Sequence, residues 1–193
     1  KVITDLKESS LMLPEKTSHV MRPNKYAVYA TLARAYLSMQ VYDSAHYYVD
    51  LALKYNVDLL DFNNLSEVKM TASYPFTIFN KETLFYAELL VSINLTSSRA
   101  LTDTLLYRSY DSNDLRRSAY FKVAADGTTT FKGSYAGSSK MFSGIAMDEL
   151  YLMRAECNVR MGNVEAGMAD LNHLLGYRYK TGTFIPYVIK NKR

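Results

Sequence analysis

Residues 25–56 constrain this chain more than any other stretch. In KYAVYATLARAYLSMQ, alanine is frequent, and Tyr26, Ala30, Ala33 and Leu37 recur at intervals of three and four. That is the period of a helix with one buried face. The pattern breaks at Val41-Tyr42 and resumes in SAHYYVDLALKY, with Asp43 as N-cap and Asn56 as a left-handed terminator. Two helices joined by so short a break form a tight antiparallel hairpin. Ala33 and Ala45 stand where the helices would cross, and a larger side chain there would push them apart.

The spacing is specific. Tyr29, Leu32, Ala33 and Tyr36 fit the aromatic-x-x-L-small-x-x-Y opening of a tetratricopeptide (TPR) unit, and Ala45 and Val49 fit its second helix. A looser second copy lies in ELYLMRAECNVRMGNVEAGMADLN, residues 149–172. Tyr151, Ala155 and Asn158 take the first-helix places. Gly162 ends that helix, Asn163 caps the next, Ala166 is the small crossing residue, and Gly176 ends the second helix. The turn reads as about one residue shorter than in the first copy. Tyr29 and Tyr151 are 122 residues apart (151 − 29), far beyond a TPR repeat of about 34.

The expected fold class is therefore mainly α. TPR-like helical hairpins at about 24–56 and 147–176 flank a long irregular insertion, about 57–146, that contains short β-hairpins. Upstream, TDLKESSLML reads as a short amphipathic helix capped by Thr4, with Leu6, Ser10 and Leu13 on one face and Pro14 as its stop. Pro23-Asn24 opens the next helix. Within the insertion, VDLLDFNNL reads as an extended exit from the hairpin, and NKETLFYAELL as a capped turn leading into a strand or short helix. A helix is expected from about 98 to 107. YFKVAADGTTTFK alternates around Asp126-Gly127, a good hairpin turn, and GSYAGSSKMFSG is a Gly/Ser-rich loop.

Charge excludes little. The net charge is +4 and the pI about 9.0. The basic residues are scattered, densest at Arg116-Arg117 and at KNKR, 190–193. They read as solvated surface, because phosphate tracking needs a sustained basic stripe. No nucleic-acid partner is expected. No run of 18 apolar residues occurs, so no transmembrane helix is expected.

Chemistry-bearing residues receive packing readings. Glu149 and Glu156 lie seven apart, on one helix face after about two turns. An acid/base pair needs two carboxyls across an open cleft. Inside a hairpin, a Glu more often meets an Arg or caps backbone. Cys157, the sole cysteine, reads as a small buried hydrophobe. His19, His46 and His173 have no ligand-like spacing, so no metal is expected, and no motif points to a cofactor. The chain has 17 Tyr, 8 Phe and no Trp. Tyrosine suits both hairpin cores and wet recognition surfaces.

Taken in order, several stretches resemble the SusD/RagB family of nutrient-binding outer-membrane lipoproteins. VITDLKESSLMLP is similar to its helix ending in Leu-Pro. RPNKYAVYATLARAYLSMQVYDSAHYYVDLAL is similar to its TPR hairpin. NKETLF resembles its N-x-E segment and YDSNDLRRSAYF its Asp-Leu-Arg segment. FSGIAMDELYLMRAECNVRMGNVEAGMADLN resembles its late hairpin. The family's lipidation cysteine and its E-L-x-x-E-G-x-R helix are missing, so residues 1–193 read as an internal fragment of one such domain. In the family the Glu of R-A-E, here Glu156, is structural.

The resemblance implies a non-catalytic binder of oligosaccharide, polysaccharide or another polymeric nutrient. Such a protein sits on the cell surface, anchored in the outer membrane through a segment outside this chain, and partners a TonB-dependent, SusC-like transporter. Ligand would sit on the irregular insertion. A sugar's C–H face stacks on an aromatic ring while its hydroxyls bond to polar side chains. The candidate contacts are Tyr74, Tyr107, Tyr110, Asn113, Tyr120 and Tyr135, with Asp114 and Lys140 nearby. The alternatives are a TPR scaffold for protein partners without a ligand pocket and, behind it, a glycoside hydrolase.

Overall fold

The structure, a computed structural model, describes residues 1–56, 58–90 and 99–189. The KNKR end and the start of the helix expected from 98 lie outside the described residues. The fold is mainly α, with seven helices and two small antiparallel sheets among the described residues.

Helix α1 (Val2–Met12) starts earlier than expected. Its first bond runs from the Asp5 N–H to the Lys1 carbonyl, so Lys1 is the N-cap and Thr4 lies inside the helix. It stops at Leu13, which is extended, as the residue before a proline prefers. Helix α2 (Lys25–Ser38) is capped by Asn24, whose side chain accepts from the Ala27 N–H at 2.8 Å. Helix α3 (Tyr42–Leu53) follows a turn made by Gln40 at φ 60°. Here two expectations fail. Asp43 sits in the first turn, where its charge faces the helix dipole, and Val41 holds the cap position. The left-handed residue of this hairpin is Gln40, not Asn56. Asn56 instead accepts from the Asp58 N–H and donates to the Lys81 carbonyl.

The second hairpin joins α6 (Met147–Arg160) to α7 (Val164–Gly176) through left-handed Gly162. Asn163 holds the cap position without a side-chain bond. The crossing residue is Gly167 rather than Ala166: Gly167 is buried and Ala166 exposed. A Cβ on Gly167 would lie 2.6 Å from Val159 Cγ2 and 2.7 Å from the Ala155 carbonyl oxygen. The left-handed residue precedes the crossing residue by five positions in both hairpins, Gln40 to Ala45 and Gly162 to Gly167. The two turns are thus equal in length.

The hairpins are distant in sequence and adjacent in space, since α3 packs on α6. The packing order α1-α2-α3-α6-α7 makes one helical layer. Its core holds Ala30, Ala33, Val49 and Ala52 from the first hairpin and Leu150, Met153 and Leu174 from the second. Arg154 ties the hairpins together, bonding Asp170 at 2.6 and 2.8 Å and Asp50 at 3.2 Å. Tyrosines flank the first hairpin. Tyr36 stacks on Tyr48 with centroids 5.6 Å apart, and Tyr26 leans on Tyr55.

A strand inside the insertion meets one at its end. β1 (Thr83–Phe85) pairs antiparallel with β4 (Ile145–Ala146), directly before α6. Between them lie α4 (Thr104–Ser109), α5 (Arg116–Tyr120) and the hairpin of β2 (Phe121–Val123) with β3 (Thr129–Phe131). Gly127 turns that hairpin at φ 83°, as the Asp-Gly pair predicts. α4 begins later than expected, because the Asp103 side chain caps it at the Leu105 N–H. Leu101 is occupied in a bridge to Thr130. A second core of Leu60, Phe62, Val68, Phe76, Ala119 and Tyr135 supports this part. Among the described residues, no helix is long and apolar enough to cross a membrane.

Candidate functional site

Under the candidate site lies a buried ionic knot. Glu82 and Arg178 have side chains 0% and 1% exposed, and they meet at 2.6 Å. Arg178 also donates to the Leu60 carbonyl at 2.6 Å and covers the Phe62 ring. Glu82 accepts from the Leu60 N–H and from the Tyr135 hydroxyl. Its carbonyl accepts from the Met147 N–H at 2.9 Å, at the start of α6. The knot therefore joins the exit of the first hairpin, the insertion and both ends of the second hairpin. Burial, reinforced by the nearby Asp148 charge, pushes the Glu82 carboxyl above its ordinary range, while Arg178 and Tyr135 pull the other way. Burial also raises the phenols of Tyr120 and Tyr135.

Above the knot opens a cleft of about 470 Å³ between the helical layer and the insertion. That volume falls in the range of about 300–1,000 Å³ typical of small-molecule sites. Tyr120, Phe131, Met141 and Phe142 supply its apolar wall. Arg34, Ser134, Asp148 and Glu149 supply its polar groups. Arg34 reaches in from α2 and Glu149 from the first turn of α6. The guanidinium forks onto the carboxylate, Nε to Oε1 at 2.7 Å and Nη2 to Oε2 at 2.6 Å, and Nη2 also donates to the Gly144 carbonyl at 2.7 Å. Gly144 is fixed by crowding, since a Cβ there would lie 2.0 Å from the Phe85 carbonyl oxygen. The loop beyond is pinned by Ser134, which donates to the Lys140 carbonyl and accepts from the N–H groups of Ala136 and Phe142.

The structure distributes the six sequence-predicted residues among three places. Tyr120 and Tyr135 line this cleft, although Tyr135 is buried and its hydroxyl is committed to Glu82 and Asp148. Tyr74 is exposed and lines a second cleft. Tyr107 and Tyr110 pack edgewise on Phe121, with Arg117 and Arg116 over their faces. Asn113 donates its N–H to Asp111, and its carbonyl accepts from the Lys180 N–H. Nearby, Asp114 is buried against Arg116 at 2.6 Å, and Lys140 pairs with Glu88 at 2.6 Å. The Arg116-Arg117 pair is thus engaged by a carboxylate and an aromatic ring rather than free on the surface.

Arg34, Phe131, Phe142 and Asp148 were missed in the sequence. They come from separate elements and share no local pattern. Glu149 does meet an arginine, as a hairpin glutamate was expected to. Glu156 meets Arg160 on its own helix at 3.3 Å, so the two glutamates do not converge on one site. Cys157 is fully buried, and burial pushes its thiol up to about 11. Among the described residues, no group of His, Cys, Asp and Glu is arranged to hold a metal ion.

No protein-family model and no curated protein matches the sequence. Solved structures do match the fold. A SusD superfamily protein from Bacteroides thetaiotaomicron is 19% identical with a TM-score of 0.67, over 93% of this chain and 46% of that one. A second protein of that superfamily from the same organism has a TM-score of 0.69 at 14% identity, over 92% and 48%. A SusD-like carbohydrate binding protein from Bacteroides vulgatus is 18% identical with a TM-score of 0.62, over 95% and 44%. The chain thus spans just under half the length of each.

Proposed function

On a chain that carries the SusD-like fold, we propose non-catalytic binding of a glycan in the cleft between the helical layer and the insertion. The carrying observation is the composition of that cleft. Half-buried rings of Tyr120, Phe131 and Phe142 stand beside Arg34, Ser134 and Asp148. Flat apolar faces next to fixed donors and acceptors suit a pyranose ring, which has one C–H face and a rim of hydroxyls. A solved structure of the same fold is a carbohydrate binding protein, which supports the ligand class.

The use of the carboxylates supports a non-catalytic reading. Both Glu149 oxygens are taken by Arg34. Asp148 accepts from the Glu149 N–H and from Tyr135. Neither is positioned as a free proton donor across from a second free carboxylate, the arrangement that glycoside hydrolysis requires.

We assign the protein to the outer-membrane cell surface, with a TonB-dependent, SusC-like transporter as partner. The likeness of fold supports both assignments. Calorimetric titration with a panel of neutral oligosaccharides tests the ligand reading. Binding is expected for at least one glycan, and Tyr120→Ala should weaken it about tenfold or more, the scale of one lost stacking face plus its burial. Unchanged affinity in both Tyr120→Ala and Phe142→Ala would remove the cleft as the site. Release of a shortened sugar that stops in Glu149→Gln would replace binding with hydrolysis.

A further inference from the structure

A second cleft, of about 350 Å³, lies along one face of the β2–β3 hairpin. The register places Lys122 opposite Thr130 and Val123 opposite Thr129, and the Ala124 N–H reaches the Thr128 carbonyl. Side chains alternate across a strand. Lys122, Ala124, Thr128, Thr130 and Lys132 therefore share a face, and all five line this cleft. Phe121 and Phe131 belong to the opposite face and pack on each other. Tyr74 closes the cleft from the far side, with its ring exposed.

The charge here is one-sided. No carboxylate is among the described residues lining the cleft, which holds two lysines. Lys122 is exposed and makes no ion pair among the described residues. Lys132 donates to the Met70 carbonyl at 2.7 Å and the Ala72 carbonyl at 3.2 Å. Those bonds hold the ammonium in place and neutralise none of its charge. Burial and then the neighbouring Lys122 pull the Lys132 ammonium below its usual range, as expected where two cations share a site without an anion.

The two clefts are neighbours. A shallow depression between them is lined by Phe131, Ser134 and Met141 of the first cleft and by Tyr74 and Lys132 of the second. Phe131 and Lys132 are consecutive, so a polymer lying across this end of the hairpin would reach both.

We propose that the cleft of Tyr74, Lys122 and Lys132 receives the anionic group of an acidic sugar unit, so that the track prefers an acidic polysaccharide to a neutral one. This rests on the glycan-binding reading and extends it to a substrate class. The shared chemistry is a carboxylate or a sulfate ester: an oxyanion beside an aromatic face that carries the sugar ring. Lys132 is the fixed cation, and Lys122 is the one free to swing onto the ligand.

The test titrates the intact protein with two matched pairs. One is oligogalacturonide and its carboxyl-reduced counterpart. The other is a sulfated galactan oligosaccharide and its desulfated counterpart. An acidic member is expected to bind about tenfold or more tightly than its neutral partner, the scale of one charge-assisted hydrogen bond. The pair showing the larger difference identifies the anion. Lys122→Glu, an exposed change that spares the Lys132 loop contacts, should erase the difference. Raising the salt concentration should narrow the difference in the same way. Equal binding of acidic and neutral partners, or a preference that survives Lys122→Glu, overturns the anionic subsite and leaves the glycan reading intact. Failure of these four sugars and of every oligosaccharide in the neutral panel overturns both.

Discussion

Two arginine–glutamate pairs sit on either side of one wall of this molecule. Arg178–Glu82 and Arg34–Glu149 both close at 2.6 Å, and in both the arginine also donates to a backbone carbonyl, Leu60 or Gly144. Their surroundings differ. The first pair is 1% and 0% exposed, the second 43% and 34%. In water the Coulomb gain of such a pair is small, whereas in the interior both the attraction and the cost of an unpaired charge are large. The same chemistry is a structural knot in one place and an adjustable polar surface in the other. The difference tells stability from function: the buried pair can be lost only at the expense of the fold, and the part-exposed pair can face a ligand while its fork stays closed.

The sharpest way to break the comparison is Arg178→Met. It leaves the Glu82 carboxylate buried without its cation, and about 3–5 kcal/mol of stability should be lost, read by urea denaturation. The loss should depend on pH, with a definite sign. The Glu82 carboxyl already titrates above its ordinary range in the folded chain, so its contribution is fully present below the ordinary carboxylate range and declines as pH rises through the raised value. Removing Arg178 takes away a group that holds this value down. The variant should therefore fall further behind the wild type at pH 8 than at pH 5. A cost that is flat across that interval would mean that Glu82 does not titrate within it.

Tyr135→Phe is the intermediate case, because it spares both charges and removes one donor to Glu82. The ring stays packed against Phe76 and Phe142, so the expected loss is that of a hydrogen bond to a charged group, about 1.5–3 kcal/mol. Thermal unfolding checks it. No loss would mean that Arg178 and the Leu60 N–H already satisfy the carboxylate.

Much of the helical layer was legible in the sequence because packing leaves a periodic mark. Ala30, Ala33, Ala45 and Ala52 are all 0% exposed, and a small residue at every close approach shows up as spacing. The Asp126-Gly127 turn was legible for a similar local reason. The second hairpin shows where local signals end. Ala166 reads as the small crossing residue of the TPR pattern, yet Gly167 holds the crossing. Seeing this required knowing that Gln40, a non-glycine, adopts the left-handed conformation that Gly162 takes in the second turn. The cleft was less legible still. Arg34 and Glu149 are separated by 115 positions and meet only because the first hairpin packs on α6 and β1 closes with β4 as a two-stranded sheet. Of the tyrosines singled out, Tyr107 and Tyr110 are held under arginines at the edge of the aromatic cluster. A tyrosine that packs and a tyrosine that binds share the same local sequence signal.

The smallest expected effect on stability falls on the exposed pair, and it sharpens the comparison most. Glu149→Gln keeps the side chain's shape and removes its charge. Because the pair is part-exposed, the fold should lose no more than about 1 kcal/mol. Ligand binding should respond differently. The carboxylate holds the guanidinium by two parallel bonds, and Arg34 is an oriented donor at the mouth of the cleft only while that fork persists. In the variant, Arg34 gains rotamer freedom that a bound sugar must remove again, and affinity should fall severalfold while the urea midpoint barely moves. Arg34→Gln should give the same weakening, and the double change little more than either alone, because the two residues act as one unit. If stability falls as far as it does in Arg178→Met, the exposed pair is a second knot, and the cleft above it has no polar group free to serve a ligand.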